Sequence, residues 1–401
     1  MLLRVHPTLI APKDFFSRWP LTGLLSRFRK KNADLTMISL FLCCLSAAGI
    51  SAALIRHMIR VGVMDIPGHR SSHTRPTPKG GGIGIVIAFL LIFPISQLLS
   101  RGDLPGAALL LPLMAVALLA LFSWLDDIHS YRAALKLGVQ GLAALMILLG
   151  LASGYFDVHT SSVLPALFFG VVGFCWLVYV TNAINFIDGI NGLAAGSMAL
   201  SALIVAAIFH KAGLEGLGHA ALVLSACLIA FLPFNFPRAR IFMGDVGSQG
   251  AGLALSWLGI EAALRTPHPL IVAFLLSGIL YDVSFTLVRR ALAGDPLAQA
   301  HRSHLYQLAT RTGISPVFVS LLYWSFVLWG GADLRARLAS WPEAGSSLSP
   351  SVALDAVCRQ TRPYSLSRQM VIILKHDPKN ETPSLDWFAA LQNPNRLTPK
   401  G

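Results

Sequence analysis

Long apolar runs alternate with short polar stretches about ten times along this chain. The runs fall near residues 37–59, 81–99, 104–125, 133–152, 163–184, 192–210, 217–236, 247–264, 268–288 and 314–330. Each is close to the ~20 residues that an α-helix needs to cross a hydrocarbon core. The pattern predicts an all-α polytopic membrane protein with about ten transmembrane helices. The connections after the odd-numbered runs hold most of the motif-like polar and glycine residues, and the even-numbered ones are short and plain. Residues 1–36 form a basic extension with no long apolar run and no signal-peptide layout. Residues 331–401 form a tail rich in Ser, Pro, Arg and Asp, expected to be weakly folded. The transmembrane catalytic domain is therefore placed at 37–330.

Charge orients the bundle. The odd connections contain Arg60, Arg70, Arg75, Lys79, Arg132, Arg238, Arg240, Arg289, Arg290, Arg302 and Arg311, and the even ones only Arg101, Lys211 and Arg265. Basic loops stay on the cytoplasmic side, so the odd connections are expected to face inward. This puts residues 1–36 outside, against the sign of their seven basic and two acidic residues. Translation starting at Met37 is one resolution, refuted if N-terminal sequencing finds 1–36 in the mature protein.

Composition supports the membrane reading. Of 401 residues, 54% are hydrophobic and 13% charged, where a soluble domain carries about 25% charged residues; the mean hydropathy is +0.63. The net charge of +13 sits partly at the two ends, with no basic and aromatic cluster of the kind that binds nucleic acid. Five cysteines show no CxxC or metal-ligand spacing, so neither a disulfide framework nor a zinc site is inferred.

Candidate chemistry concentrates in the odd connections. The densest stretch is Asn182-Ala-Ile-Asn-Phe-Ile-Asp-Gly-Ile-Asn-Gly-Leu193, where Asn182, Asn185, Asp188 and Asn191 follow an apolar run. Such density is costly at the edge of lipid unless the groups serve a ligand or one another. The first connection, Asp65 to Gly82, offers Arg70, His73, Arg75 and Lys79 before a glycine triplet that suits an anion, or is simply a proline-stiffened solvated loop. The third run ends in Asp126-Asp127, adjacent carboxylates that repel unless one meets a cation, moves a proton or faces water. Asp245 lies between glycines in Phe242-Met-Gly-Asp-Val-Gly-Ser248, suited to Mg²⁺ with phosphate oxygens, to a helix N-cap, or to both. His301 and His304 share a face if their segment is helical, and Arg302 adds a planar phosphate donor. Together these are the parts of a membrane-surface phosphoryl-transfer site.

The motifs DIPGHRSSHTRPTPKGGG, LDD, NAINFIDGINGL, FMGDVGS and HRSHLYQ, in this order over 37–330, resemble the polyprenyl-phosphate N-acetylhexosamine-1-phosphate transferases, bacterial enzymes that start O-antigen, enterobacterial common antigen and related glycans. The resemblance implies a multi-pass protein of the bacterial inner membrane with a cytoplasmic-face active site. Undecaprenyl phosphate would attack the β-phosphorus of a UDP-N-acetylhexosamine and release UMP, with Mg²⁺, or Mn²⁺ in its place, required. It implies Asp245 as metal ligand, Asp126 and Asp127 beside the phosphates with Asp126 the candidate base or lipid-phosphate orienter, and Lys79 among the substrate contacts. It also implies Asp188 and Phe242 on the uridine, Asn182 and Asn185 shaping the nucleotide pocket, and His301, Arg302 and His304 on phosphates or sugar. The implied partners are the lipid bilayer and the two substrates, no nucleic acid, with a homodimer as the assembly to test. PTPKGGG and HRSHLYQ look more like the O-antigen branch than the muramoyl-pentapeptide branch. The chain departs from the family at Asn191, where Asp is usual, at Gly68, where Asn is common, and after Gly330, where it turns polar instead of adding the further helix of several members.

Two other readings compete. A transporter of anions or lipid-linked sugars would need charge near the bilayer midplane and inverted repeats; only Arg56, Lys136, Glu261 and Asp282 lie within runs, and no repeat is evident. A non-catalytic scaffold would share the loops without turnover.

Overall fold

The computed structural model describes residues 33–65, 76–102, 106–155, 163–296 and 301–339. The described chain is almost entirely helical: α1 (Ala33–Val61), α2 (Gly81–Arg101), α3 (Ala107–His129), α4 (Ala133–Tyr155), α5 (Val163–Ile187), α6 (Leu193–Lys211), α7 (Glu215–Asn235), α8 (Gly244–Arg265), α9 (Ile271–Leu275), α10 (Ser277–Leu292), α11 (Leu305–Arg311) and α12 (Pro316–Ala339). Two short strands, β1 (Met64–Asp65) and β2 (Thr77–Pro78), pair antiparallel between α1 and α2. Arg70, His73, Arg75 and Gly68 lie outside the described residues, as do the extension up to residue 32 and the tail after residue 339.

Among the described residues, seven helices, α1 to α7, contain stretches long and apolar enough to cross a membrane. The three remaining expected segments correspond to α8, to α9 with α10, and to α12. Most boundaries fall within about a turn of the sequence expectation, and two departures are larger in kind. The ninth segment is broken at Leu276, beside Ser277-Gly278, a small pair of the kind at which helices kink. The last helix does not stop at Gly330 but runs to Ala339, through the helix-forming stretch Ala332 to Ala339.

The bundle is built around α8. This helix packs against α2, α3, α5, α6, α7 and α9, and residues Val246 to Ala262 are buried without interruption. The outer faces are apolar and exposed, for example Phe41, Leu91, Leu149 and Phe168, as expected where lipid is the solvent. Without a hydrophobic force between helices in lipid, association depends on close backbone approach at small residues. Among the described glycines, the tightest backbone-to-backbone approach joins the glycine triplet to α8. A Cβ on Gly82 would lie 2.2 Å from the Cα and N of Gly247, and one on Gly247 would lie 2.6 Å from the Cα of Gly82.

This contact generates a prediction. Gly82→Ala has no room and should destabilise the detergent-solubilised protein by about 1–3 kcal/mol or more. Gly138→Ala, on α4 with nothing within 4 Å of its Cβ position, should be neutral or gain up to about 1 kcal/mol. Thermal unfolding of both checks this, and equal melting temperatures for Gly82→Ala and wild type would contradict the packing.

Candidate active site

Two sequence motifs are stitched together by main-chain bonds at one end of the bundle, and a third is joined to them by a side chain. Lys79 N donates to Val63 O (2.8 Å) and Phe242 N to Pro78 O (2.8 Å), while Gly81 N and Gly82 N donate to Phe242 O and Met243 O, both at 2.9 Å. The start of α8 is thereby fixed to the glycine triplet, and Asp245 sits in the first turn of α8, where the helix dipole favours a carboxylate. Lys79 Nζ lies 3.0 Å from Asp127 Oδ1. A Cβ on Gly244 would stand 3.7 Å from Asp127 Oδ2, so the Asp127 carboxylate lies beside the residue that precedes Asp245.

The adjacent carboxylates of the third run have different surroundings. Asp126 is 5% exposed, pairs with Lys136 and accepts from Tyr131 N at 2.8 Å. It is committed to the α3–α4 turn. Asp127 points to Lys79 and the α8 start instead. Lys136, one of the in-run charges, thus has a structural partner.

The asparagines of α5 line up toward α8. Asn182 and Asn185 are three apart on one helix face, and the Asn185 amide donates to Asp245 Oδ1 (3.0 Å) and to Ser248 Oγ (2.9 Å). One turn deeper, Asn182 Nδ2 donates to Gln140 Oε1 (2.7 Å), and Gln140 Nε2 donates to Asn182 Oδ1 (3.2 Å) and Gln249 Oε1 (3.1 Å). This buried amide lattice ties α4, α5 and α8 together directly behind Asp245. Unpaired amides there would be costly, so each holds the next in register. Asn191, at the position where Asp is usual in the resembling family, donates its amide to Pro237 O at 3.2 Å, a bond a carboxylate cannot make.

Asp188 follows the end of α5. Burial, with the nearby Asp245 carboxylate, pushes its pKa well above the ordinary range. No side-chain donor reaches it among the described residues, and only Asn185 donates to Asp245. Among the described residues, the polar end therefore brings Asp127, Asp188 and Asp245 near one another with one ammonium, Lys79, which is paired to Asp127. That imbalance suits a divalent cation with substrate phosphates. Among the described residues no group of three or more His, Cys, Asp or Glu could hold a metal by protein ligands alone. Mg²⁺ does not require one, since it is usually held by one or two carboxylates, water and phosphate oxygens.

The loop before α11 resolves the alternative that the sequence left open. Residues 301–304 are not helical, so the two histidines do not share a helix face, yet their rings approach to 4.8 Å. His304 is 3% exposed and its Nδ1 faces Asp282 Oδ1 at 3.2 Å. His301 is partly open. Burial, His304, Arg290 and Arg289 lower its pKa to about 4, so its ring is neutral at pH 7. Arg302 and Phe242 are also partly exposed at this end. Sequence reasoning missed Gln140, Gln249 and Tyr306 and gave no role to Lys136 or Asp282. The usable signal was a polar residue inside an apolar run, which must find a partner.

These observations define a multi-pass integral-membrane protein with carboxylates, a lysine and an amide lattice gathered at one end of its helical bundle. Residues 109–263 match the family described as Glycosyl transferase family 4. The chain is 30% identical over 334 residues to the decaprenyl-phosphate N-acetylglucosaminephosphotransferase of Mycolicibacterium smegmatis, covering 72% of this chain and 82% of that protein. It is 27% identical over 287 residues to the probable undecaprenyl-phosphate N-acetylglucosaminyl 1-phosphate transferase of Bacillus subtilis, covering 70% and 78%. It is also 29% identical over 279 residues to the phospho-N-acetylmuramoyl-pentapeptide-transferase of Leuconostoc citreum, covering 64% and 83%. The chain belongs to the polyprenyl-phosphate N-acetylhexosamine-1-phosphate transferase family, which speaks against the transporter reading.

Asp188 yields a signed prediction. Its ionised form is disfavoured in the fold relative to the unfolded chain, so it destabilises the protein at pH 7, and the penalty fades as pH falls through the folded pKa. Without divalent cations, Asp188→Asn should melt a few degrees higher than wild type at pH 7. The gap should narrow on acidification; a variant that melts lower at pH 7 would contradict the geometry.

Proposed function

We propose that this protein transfers an N-acetylhexosamine-1-phosphate from a UDP-sugar to undecaprenyl phosphate, releasing UMP. The reaction would take place at the cytoplasmic face of a bacterial inner membrane and begin an O-antigen or related envelope polysaccharide. The observation that carries this reading is the convergence of Asp127, Asp188 and Asp245 with Lys79 at one end of the bundle. The names of the relatives support the lipid acceptor and the sugar phosphate.

In this reading Asp245 is the Mg²⁺ ligand, oriented by the Asn185 amide. When bound, Mg²⁺ supplies Lewis-acid neutralisation of the diphosphate and of the leaving UMP. Lys79, held by Asp127, supplies a second positive charge to the phosphates. Asp127, not the committed Asp126, is the carboxylate beside the reacting groups, and it orients the acceptor through Lys79. An acceptor phosphate monoester is already largely ionised at pH 7, so a strong general base is unnecessary. Neutral His301 with Arg302 faces the sugar phosphate, and Phe242 with Asp188 takes the uridine. Protein-side catalysis is then mainly placement and charge compensation, as in other phosphoryl transfers.

The test is UMP release from purified protein given undecaprenyl phosphate, Mg²⁺ and a panel of labelled UDP-sugars. Turnover is expected with at least one N-acetylated sugar, lost in EDTA and restored by Mg²⁺ or Mn²⁺. Asp245→Ala and Asp127→Asn should each lower kcat by at least about a hundredfold, whereas Asp126→Asn should act chiefly on stability. No turnover with any sugar from folded wild type would overturn the proposal.

A further inference from the structure

Asp282 of α10 is fully enclosed, at 0% exposure, and has no part in the chemistry above. It nevertheless gathers five hydrogen-bonding partners. Its Oδ1 accepts from Leu305 N (2.8 Å) and Thr286 Oγ1 (3.2 Å), and faces His304 Nδ1 (3.2 Å). Its Oδ2 accepts from Tyr306 N (3.0 Å) and Tyr323 Oη (2.6 Å). A carboxylate facing an imidazole nitrogen accepts, which puts the His304 proton on Nδ1. The partners come from α10, α11 and α12 and from the histidine loop. A buried carboxylate is tolerated only when satisfied in this way.

The neighbours of these donors reach the site. Two main-chain N–H groups bonded to Asp282 begin α11, directly after Arg302 and His304. The Tyr306 side chain is 1% exposed, and its hydroxyl donates to Phe186 O at 3.1 Å. The fit allows nothing larger than glycine at 189, where a Cβ would lie 1.9 Å from Tyr306 Oη. The Phe186 ring lies 5.8 Å from that of His304. Asp188 sits between Phe186 and Gly189, so the turn that carries it is clamped by Tyr306.

We propose that Asp282 is a positioning residue: its carboxylate locks the His301–His304 loop and, through Tyr306, the Phe186–Gly189 turn into one unit that sets the donor-binding half of the site. The proposal rests on the reading that this half binds the sugar nucleotide. Asp282→Asn preserves shape but turns one acceptor oxygen into an NH₂ group. That group would confront N–H donors that cannot reverse their role.

The experiment measures donor and acceptor KM separately in the wild type, Asp282→Asn and Tyr306→Phe, with hydrogen–deuterium exchange on the same full-length proteins. The expected result is a donor KM raised about tenfold in Asp282→Asn and severalfold in Tyr306→Phe, with acceptor KM within about twofold of wild type. Exchange should quicken in 301–312 and 186–192 and stay unchanged in α1 to α4. A donor KM unchanged in both variants, with only the active fraction reduced, would overturn the proposal, because a purely structural carboxylate acts that way. If Asp282→Asn does not fold, Tyr306→Phe decides by the same selectivity for the donor. If wild type turns over no UDP-sugar, the functional reading fails, and the exchange pattern alone then decides whether Asp282 clamps the two segments.

Discussion

The contact of Gly82 on Gly247 is the constraint on which the polar end depends. It lets α2 and α8 meet backbone to backbone, and only then can the triplet's N–H groups reach the carbonyls of Phe242 and Met243. With those bonds made, Lys79 and Asp245 are set by main chain rather than by flexible side chains. A group held on packed helix ends loses little freedom when a substrate arrives, which is the condition for charge compensation by placement. The same contact explains why α8 tolerates a composition too polar for a lipid-facing helix: its neighbours surround it on every side that counts.

Around this axis the polar groups sort into two kinds. Some are satisfied by the protein itself. Asp126 with Lys136, the amides of Gln140, Asn182 and Gln249, and the enclosed Asp282 all have their partners within the fold. Others are left in electrostatic debt. Among the described residues, Asp188 and Asp245 repel one another with few donors, and Asp127 is paired with Lys79 alone. The first kind fixes geometry and the second awaits ligand. This division distinguishes Asp126 from Asp127 although they are adjacent in sequence and identical in chemistry.

Much of this was legible in the chain. The apolar runs located most of the helices to within about a turn, because length and hydropathy are local properties that lipid enforces, but they missed the break at Leu276 and the extension of the last helix to Ala339. The dense motifs marked the polar end, since Asn182, Asn185, Asp188 and Asp245 have no cheap alternative at a membrane edge. What was not legible was pairing. Nothing local tells Asp126 to choose Lys136, or says that Asn191 spends its amide on a carbonyl forty-six positions away. Whether the histidine segment is helical was left open by the chain; its helix starts only at Leu305, and the loop's organiser, Asp282, lies on another helix and reads as an isolated charge in an apolar run.

The enclosure of α8 has a mechanical consequence. A bilayer thicker or thinner than the protein's apolar belt is accommodated by tilting and local adjustment of the helices that touch lipid. Here that strain falls on the outer ring, on faces such as those of Phe41, Leu149 and Phe168. The helix bearing Asp245 is shielded by its neighbours from such deformation. Turnover should accordingly tolerate changes in acyl-chain length better than a centre mounted on the rim would.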